Sequence, residues 1–422
     1  MQRARYMRIF FRLVLVLLLN GSAGCLLAQV ADRSEAVEAT NPPAPKEDQK
    51  VKKQPEVISL TGSLDAYFHK SIATNEKAPH TSFSNLPGFS LGMVNLIGSY
   101  TGKNTGFVID LVVGPRGADA VFNAPMHVNS SGGGSAHLIN QMYAWCKLTR
   151  NVKLNLGQFN TFLGYESISP LKNFHYGTSY LFSYGPFNHT GLWADIDFRN
   201  GWTGKLAFMN PTDYTEFNPF DSFTLGGQLA YLGNGKNISL NTTYGDPDGK
   251  LDATDSVGTL SSGNAFQLDF TATINVVPKY QVGFNSSYRT TRPGEVMTTM
   301  QSKEKSSQPS FGFYGIAMYQ KVLFTDHFNM GLRTEYFNEF HGGVGAIGGY
   351  DGHGYSSVFE VTLSANFIAE YLRFIPEVRV DKTSLATFTS EATNAPLTAM
   401  CSFNFAVIYA LPAITHEVNH QK

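Results

Sequence analysis

Charge is scarce in this chain, cysteine scarcer, and no stretch after the first twenty residues stays apolar for long. Only 15% of the 422 residues are charged, against about 25% in an ordinary soluble domain. The formal net charge is −1, which leaves no basic footprint for nucleic acid. Three cysteines, Cys25, Cys146 and Cys401, are too few for a disulfide framework or a thiolate metal cluster. No run reaches the ~18 apolar residues of a spanning helix, and the mean hydropathy is close to neutral. A bundle of membrane helices is thereby excluded. No Walker-type phosphate loop is present, and the two short matches, Gly88-Phe-Ser-Leu-Gly92 to GxSxG and His416-Glu-Val-Asn-His420 to HExxH, lie at the start of a predicted strand and in the C-terminal tail, without the strand–turn–helix and helix contexts those motifs need. The chain therefore reads as a protein that is not an enzyme and carries no cofactor.

What is present is aromatic and glycine-rich: 13% Phe, Trp and Tyr, with 40 glycines. Arg3, Arg5, Arg8 and Arg12 precede the short apolar run Leu13–Leu19, and Leu26-Leu-Ala28 supplies a loose cleavage site. Residues 1–28 read as a cleaved export signal, with lipidation at Cys25 the weaker alternative. Removing them takes four arginines and no acid. That leaves 28 basic against 33 acidic residues, a formal −5. Residues 29–56, rich in Ala, Pro, Glu and Lys, cannot bury apolar area and read as a disordered periplasmic linker.

From Val57 the composition changes and alternation begins. The stretch that organises the chain runs from Val152 to Phe198. In Val152-Lys-Leu-Asn-Leu-Gly-Gln-Phe159 and Thr190-Gly-Leu-Trp-Ala-Asp-Ile-Asp-Phe198, apolar side chains alternate with Lys153, Asn155, Asp195 and Asp197. A period of two places them on opposite faces of a strand. Sixteen such strands are predicted, beginning near Ile58, Phe89, Gly106, Leu138, Val152, Asn188, Trp202 and Phe223, then near Asn237, Ala265, Tyr280, Phe311, Phe328, Val358, Tyr371 and Met400. The second and twelfth alternate poorly, and Pro376 forfeits a ladder donor in the fifteenth.

Connections carry the sharper signal. Short turns such as Arg150–Asn151 and Ala369–Glu370 alternate along the chain with long polar loops such as Asn160–Pro186 and Phe340–Gly354. A soluble sandwich has no reason to keep every long loop on one side. An outer-membrane barrel does so, with short periplasmic turns and long outer loops. The expected fold is all-β: a transmembrane antiparallel up-and-down β-barrel of about sixteen strands, within a range of roughly 14–18, over residues 57–411, with a C-terminal tail at 412–422. Trp202, Tyr231, Tyr244, Tyr288, Tyr336 and Tyr409 fall near strand ends on the apolar face, where interfacial girdles sit.

Leu156-Gly-Gln-Phe-Asn-Thr-Phe-Leu-Gly-Tyr-Glu-Ser167, Asn173-Phe-His-Tyr176, Ser179-Tyr-Leu-Phe182 and Tyr184-Gly-Pro-Phe-Asn-His-Thr-Gly191 resemble the β-barrel porin-2 (OmpL-like) family, common in Bacteroidetes. Gly62-Ser-Leu-Asp-Ala-Tyr-Phe68 fits that family's first strand. The resemblance runs from about Val57 to the C-terminus and is specific over Leu156–Asn210. It implies an outer-membrane channel without a cofactor and does not supply a substrate. The chain departs from outer-membrane barrels in one respect. They usually end on an aromatic residue, whereas Tyr409 is followed by Pro412, His416 and His420.

If the apolar set faces lipid, the opposite set lines a lumen. Candidate lining residues are Lys153, Asp195, Asp197, Asp269, Arg333, Glu335, Glu360, Arg373, Glu377 and Arg379. Asp65, Asp110, Lys147, Lys205 and Arg289 complete eight acids against seven bases, a balance that gives little net ion selectivity. Arg333, Glu335, Glu360, Arg373, Glu377 and Arg379 lie on three consecutive strands and suit one ion-pair network on the wall. The bland alternative is that each merely solvates the lumen. The loop Asn160–Pro186 either folds inward, where Glu166, Lys172, His175 and Tyr176 would narrow the pore, or packs on itself above the rim. His127, His137, His175 and His189 match no defined metal or catalytic spacing, and Asp246-Pro-Asp248 with Asp252 and Asp255 hints at calcium without a full ligand loop. The expected role is an outer-membrane porin that passes small hydrophilic solutes, the alternative being a surface protein whose loops bind a partner. Its surroundings would be the outer-membrane bilayer and solutes, with a homotrimer as the candidate assembly.

Overall fold

In the computed structural model the alternation closes on itself. The structure describes residues 56–76, 79–121, 138–252, 254–299 and 301–418. The expected signal at 1–28 and the expected linker, but for Glu56, lie outside them.

The first nine strands are β1 (Glu56–Ile72), β2 (Gly88–Thr101), β3 (Thr105–Val113), β4 (Ile139–Lys147), β5 (Val152–Asn160), β6 (Asn188–Arg199), β7 (Trp202–Met209), β8 (Thr224–Gly233) and β9 (Lys236–Gly245). Then come β10 (Leu260–Val277), β11 (Tyr280–Thr299), β12 (Ser302–Lys305), β13 (Phe311–Thr325), β14 (Phe328–Phe340), β15 (Ser356–Ala369) and β16 (Leu372–Thr383). Two short strands, β17 (Phe388–Thr389) and β18 (Pro396–Leu397), precede β19 (Ala399–Val418). Two short helices interrupt the loops, α1 (Pro115–Ala120) and α2 (Tyr180–Ser183).

Every barrel strand is antiparallel to its sequence neighbour, and β1 pairs with both β2 and β19. That closure leaves no open edge, so every strand satisfies its backbone donors and acceptors within the ring. β12 is a flap on the end of β11, and β17 with β18 forms a separate ribbon. Sixteen strands make the wall.

The faces sort as the alternation demands. Phe359 and Leu363 point outward, 49% and 40% exposed, while Glu360 and Asp269 between such positions are 0% and 2% exposed. Trp202 packs on Tyr231 and Tyr371 lies near Tyr409 at the short-turn end. Tyr244, Tyr288 and Tyr314 stand exposed toward the other. Two aromatic belts thus bracket the apolar band.

Two boundaries differ from the sequence expectation. The loop expected at Thr291–Pro309 is largely hairpin, because β11 runs to Thr299 and pairs with β12. The strand end expected at 411 gives way to a ladder that continues to Val418, paired with Glu56. Beyond Tyr409, β19 has no β16 partner and rides on β1 alone. Pro376 behaves as expected: the β15–β16 ladder is interrupted between Ser364–Glu377 and Phe367–Phe374.

The two poorly alternating strands, β2 and β13, have a common cause. Met93 on β2 and Phe313, Ala317 and Tyr319 on β13 point inward yet are buried apolar residues. They face protein rather than water, because a loop lies inside the barrel.

Candidate functional site

The loop 161–187, between β5 and β6, crosses the lumen instead of standing above the rim. Glu166, His175 and Tyr176 are buried at 8%, 2% and 0% exposure. Gly164 N donates to Asp269 on β10 at 2.8 Å, and Tyr176 Oη donates to Asp65 on β1 at 2.5 Å. The loop's aromatic content, far too high for a solvated segment, is consumed in this contact. The wall makes room for it. A Cβ at Gly283 on β11 would stand 2.2 Å from the Tyr165 hydroxyl, and one at Gly331 on β14 would stand 2.2 Å from the Phe174 ring.

Seven of the fifteen charged side chains expected on the wall hold this loop, Asp65 and Asp269 among them. Glu335 accepts from Tyr180 N and Leu181 N, both at 2.7 Å, so it caps the otherwise unpaired first amides of α2. Glu377 accepts from Tyr176 N and Gly177 N at 2.9 Å each. Arg379 donates to Thr178 O at 2.7 Å and forks onto Asp381. Arg373 donates to Asn173 O and Phe174 O at 2.6 and 2.8 Å. Arg333, wholly buried, bridges Glu166 at 2.6 Å and Glu360 at 3.0 Å and donates to Gly177 O at 2.8 Å. The expected wall-to-wall network is thus only Arg333–Glu360–Arg379; Glu335, Glu377 and Arg373 serve loop backbone instead. Hydrogen bonds to charged groups contribute about 1.5–3 kcal/mol each, so the loop is fixed in place.

The remaining candidates separate by position. Asp269 is buried between Asn241, Asn285 and Gly164 N. Lys153 and Lys205 flank Asp195, the former at 3.2 Å, and Asp197 lies beside them in a cavity of about 360 Å³ at the short-turn end. Lys172 and His175 line a second cavity of about 250 Å³ beneath the loop, with Lys321 and Arg373. His175 Nδ1 lies 2.7 Å from Ser364 Oγ, and His189 Nε2 lies 3.0 Å from Thr161 Oγ1, so these two histidines serve separate structural contacts. His127 and His137 lie outside the described residues. Among the described residues no group of His, Cys, Asp and Glu is placed to hold a metal ion. Asp248 and Asp252 instead accept backbone amides of Ser262 and Thr254 at 2.8 and 2.7 Å. On the outer rim Asp213 closes the exit of the loop, accepting from Phe187 N and Asn188 N at 2.7 and 2.8 Å. Burial pushes its carboxyl up to about 6.

Three anchors escaped the sequence reading. Asp381 and Glu339 each follow from one or two further steps of an alternation already in hand, Glu377–Arg379 and Arg333–Glu335. Glu339 accepts the amides of Val344, Ala346 and Ile347, drawing the outer loop 341–355 inward. Arg116 on α1 donates to Ile168 O at 2.8 Å, and nothing in its sequence surroundings announces that.

The contact with Asp65 yields a direct expectation. Tyr176→Phe deletes the hydroxyl donor to one buried carboxylate oxygen of Asp65, the other being satisfied by Met93 N at 3.1 Å. An orphaned buried acceptor costs about 1–3 kcal/mol, to be read as a lowered guanidinium midpoint for unfolding in detergent.

A closed sixteen-strand antiparallel cylinder with an apolar outer band, aromatic belts and a loop folded into a charged lumen defines the porin class of outer-membrane barrels. A family model described as "Putative beta-barrel porin-2, OmpL-like" matches residues 57–411, and the chain belongs to that family. Among solved structures, in-vitro folded OmpT, an outer membrane protein of Vibrio cholerae, superposes with a TM-score of 0.52 at 10% identity, covering 86% of this chain and 99% of its own. A loop L8 deletion mutant of that OmpT gives 0.51 at 10%, over 85% and 100%. Its trimer form gives 0.50 at 10%, over 85% and 100%. At such identity the likeness concerns the fold. A comparison with curated proteins gave no match.

Proposed function

We propose that the protein is a general-diffusion porin of the outer membrane, passing small hydrophilic solutes down their gradient past the inward loop. The observation that carries this reading is the loop's placement. It is pinned against β10–β16 and β1, while a cavity lined by hydrophilic side chains persists along β4–β8. A barrel of this strand number is wide enough for an aqueous channel, and a loop fixed to one side narrows it. The reading takes transport, not catalysis, as the barrel's work, and places the short turns on the periplasmic side. A trimer is the proposed assembly, in line with the trimer form of the structurally similar OmpT.

Planar-bilayer recording of the purified protein tests it. Stepwise, ohmic conductance is expected, with small sugars entering proteoliposomes at rates that fall with solute size. A barrel that inserts and stays sealed overturns the proposal and leaves the outer loops as the working part.

A further inference from the structure

Counted along the sequence, the lumen charges balance; in space they are partitioned. Asp65, Asp110, Asp269, Glu335, Glu360 and Glu377 are each 4% exposed or less, and all are committed to the loop or to neighbouring wall groups. Their charge is spent locally and they do not face the cavities. The two cavities of the short-turn half are lined by a different population. Lys147, Arg150, Lys153 and Lys205 face the larger one, against Asp195 and Asp197. Lys172, Lys321 and Arg373 face the one beneath the loop, where the single carboxylate, Glu166, is bound to Arg333. Seven cationic side chains thus surround these spaces against three carboxylates, and six remain when Arg373, committed to loop carbonyls, is set aside as the loop-bound acids were.

We propose that this half of the lumen is an anion-attracting vestibule that admits and weakly holds small carboxylate-, phosphate- or sulfate-bearing solutes. The inference deepens the porin reading and rests on it for the passage of solute. Low-dielectric walls focus the field of a one-signed cleft and concentrate counter-ions within it. At physiological salt the screening length is about 8 Å, so charges must stand at the lining itself to act, as Lys147 and Lys153 do. Both lie near the indole of Trp145, 5.9 and 5.7 Å from a ring centroid. The lysine nitrogens are thus held at the wall, and Trp145 becomes an optical reporter of the chamber. Asp195 sits between Lys153 and Lys205, which offsets one of the two acids lining this cavity. Rings of Lys and Arg are the usual basis of anion preference in pores.

Two measurements on the full-length protein, compared with Lys147→Gln/Arg150→Gln/Lys153→Gln, test the proposal. Heat-modifiable migration on gels confirms that each variant is a folded barrel. In bilayers under a potassium chloride gradient, chloride is expected to permeate about threefold or more over potassium, and the triple variant is expected to abolish that preference. Separately, tryptophan fluorescence of Trp202→Phe in detergent reports on Trp145, because Trp193 is only 4% exposed. Iodide is expected to quench it severalfold more than caesium, inorganic phosphate to relieve the quenching, and the triple variant to quench equally with either ion. A conducting barrel with no ion preference and equal quenching overturns the vestibule and leaves the porin reading intact. A non-conducting barrel that keeps the iodide preference removes the porin reading but not the anion site. A non-conducting barrel with equal quenching removes both.

Discussion

Arg333→Ala is expected to undock the inner loop, lower stability by about 3–5 kcal/mol and raise single-channel conductance. The guanidinium is fully buried and, among the described residues, makes the only ion pair to Glu166, at 2.6 Å, along with the closest pair to Glu360, at 3.0 Å. Removing one partner of a buried ion pair costs more than the pair is worth, since the other charges stay behind without compensation. Here Glu166, Glu335 and Glu360 would share a pocket with Arg379 alone, 3.8 Å from Glu360. The staves themselves do not depend on Arg333, because the ring is closed by backbone ladders. The strain is therefore relieved at the weakest place, the loop, which swings toward solvent. Guanidinium unfolding in detergent and bilayer conductance should move together. Arg333→Lys should recover only part of the loss, because an ammonium cannot reach the fork of partners that a guanidinium spans. Adding Glu166→Gln and Glu360→Gln to Arg333→Ala should recover much of the stability while leaving the pore wide. Unchanged conductance in Arg333→Ala would show that this ion cluster does not hold the constriction.

That cluster also marks where sequence reading stopped. Strand existence and facing were legible because lipid on one side and water on the other enforce a strict period of two. The starts of β5, β6, β7, β11, β13 and β14 fell on the expected residues. The docking of the loop was not legible, because alternation records only which residues face inward, not what they meet there. A trace was present nonetheless. Gly283, Gly315, Ala317 and Gly331 are small inward residues on three adjacent strands, and their missing volume is where Tyr165, Leu181 and Phe174 sit. Small inward residues on one wall, facing an aromatic-rich loop, are the pattern that would have placed it. The charge count is coarse for a related reason: it treats a carboxylate capping α2 and a lysine lining a cavity as equal and opposite, although the two stand in different surroundings.

The outer face supports the prediction with the sharpest contrast between a membrane barrel and a soluble one. Leu363 lies midway along β15, pairs with Leu332 and Val378, and is 40% exposed. Phe367 lies four residues on, near the short-turn belt, is 47% exposed and contacts Phe328. In a soluble sandwich both positions would count as open surface, where substitutions stay within about 0.5 kcal/mol. In a bilayer they differ by depth. Arginine at the midplane of a barrel costs about 2–4 kcal/mol, falling to about 0–1 kcal/mol near the interface. Leu363→Arg should therefore lose several times more stability than Phe367→Arg in reversible folding into lipid vesicles, while both insert with the same strand content. The two should converge when folding is measured in a short-chain detergent, whose micelle adapts around a charge. Equal, near-zero costs in vesicles would mean that no hydrocarbon slab meets this face, and the lipid-facing assignment of Phe359 and Leu363 would have to be abandoned.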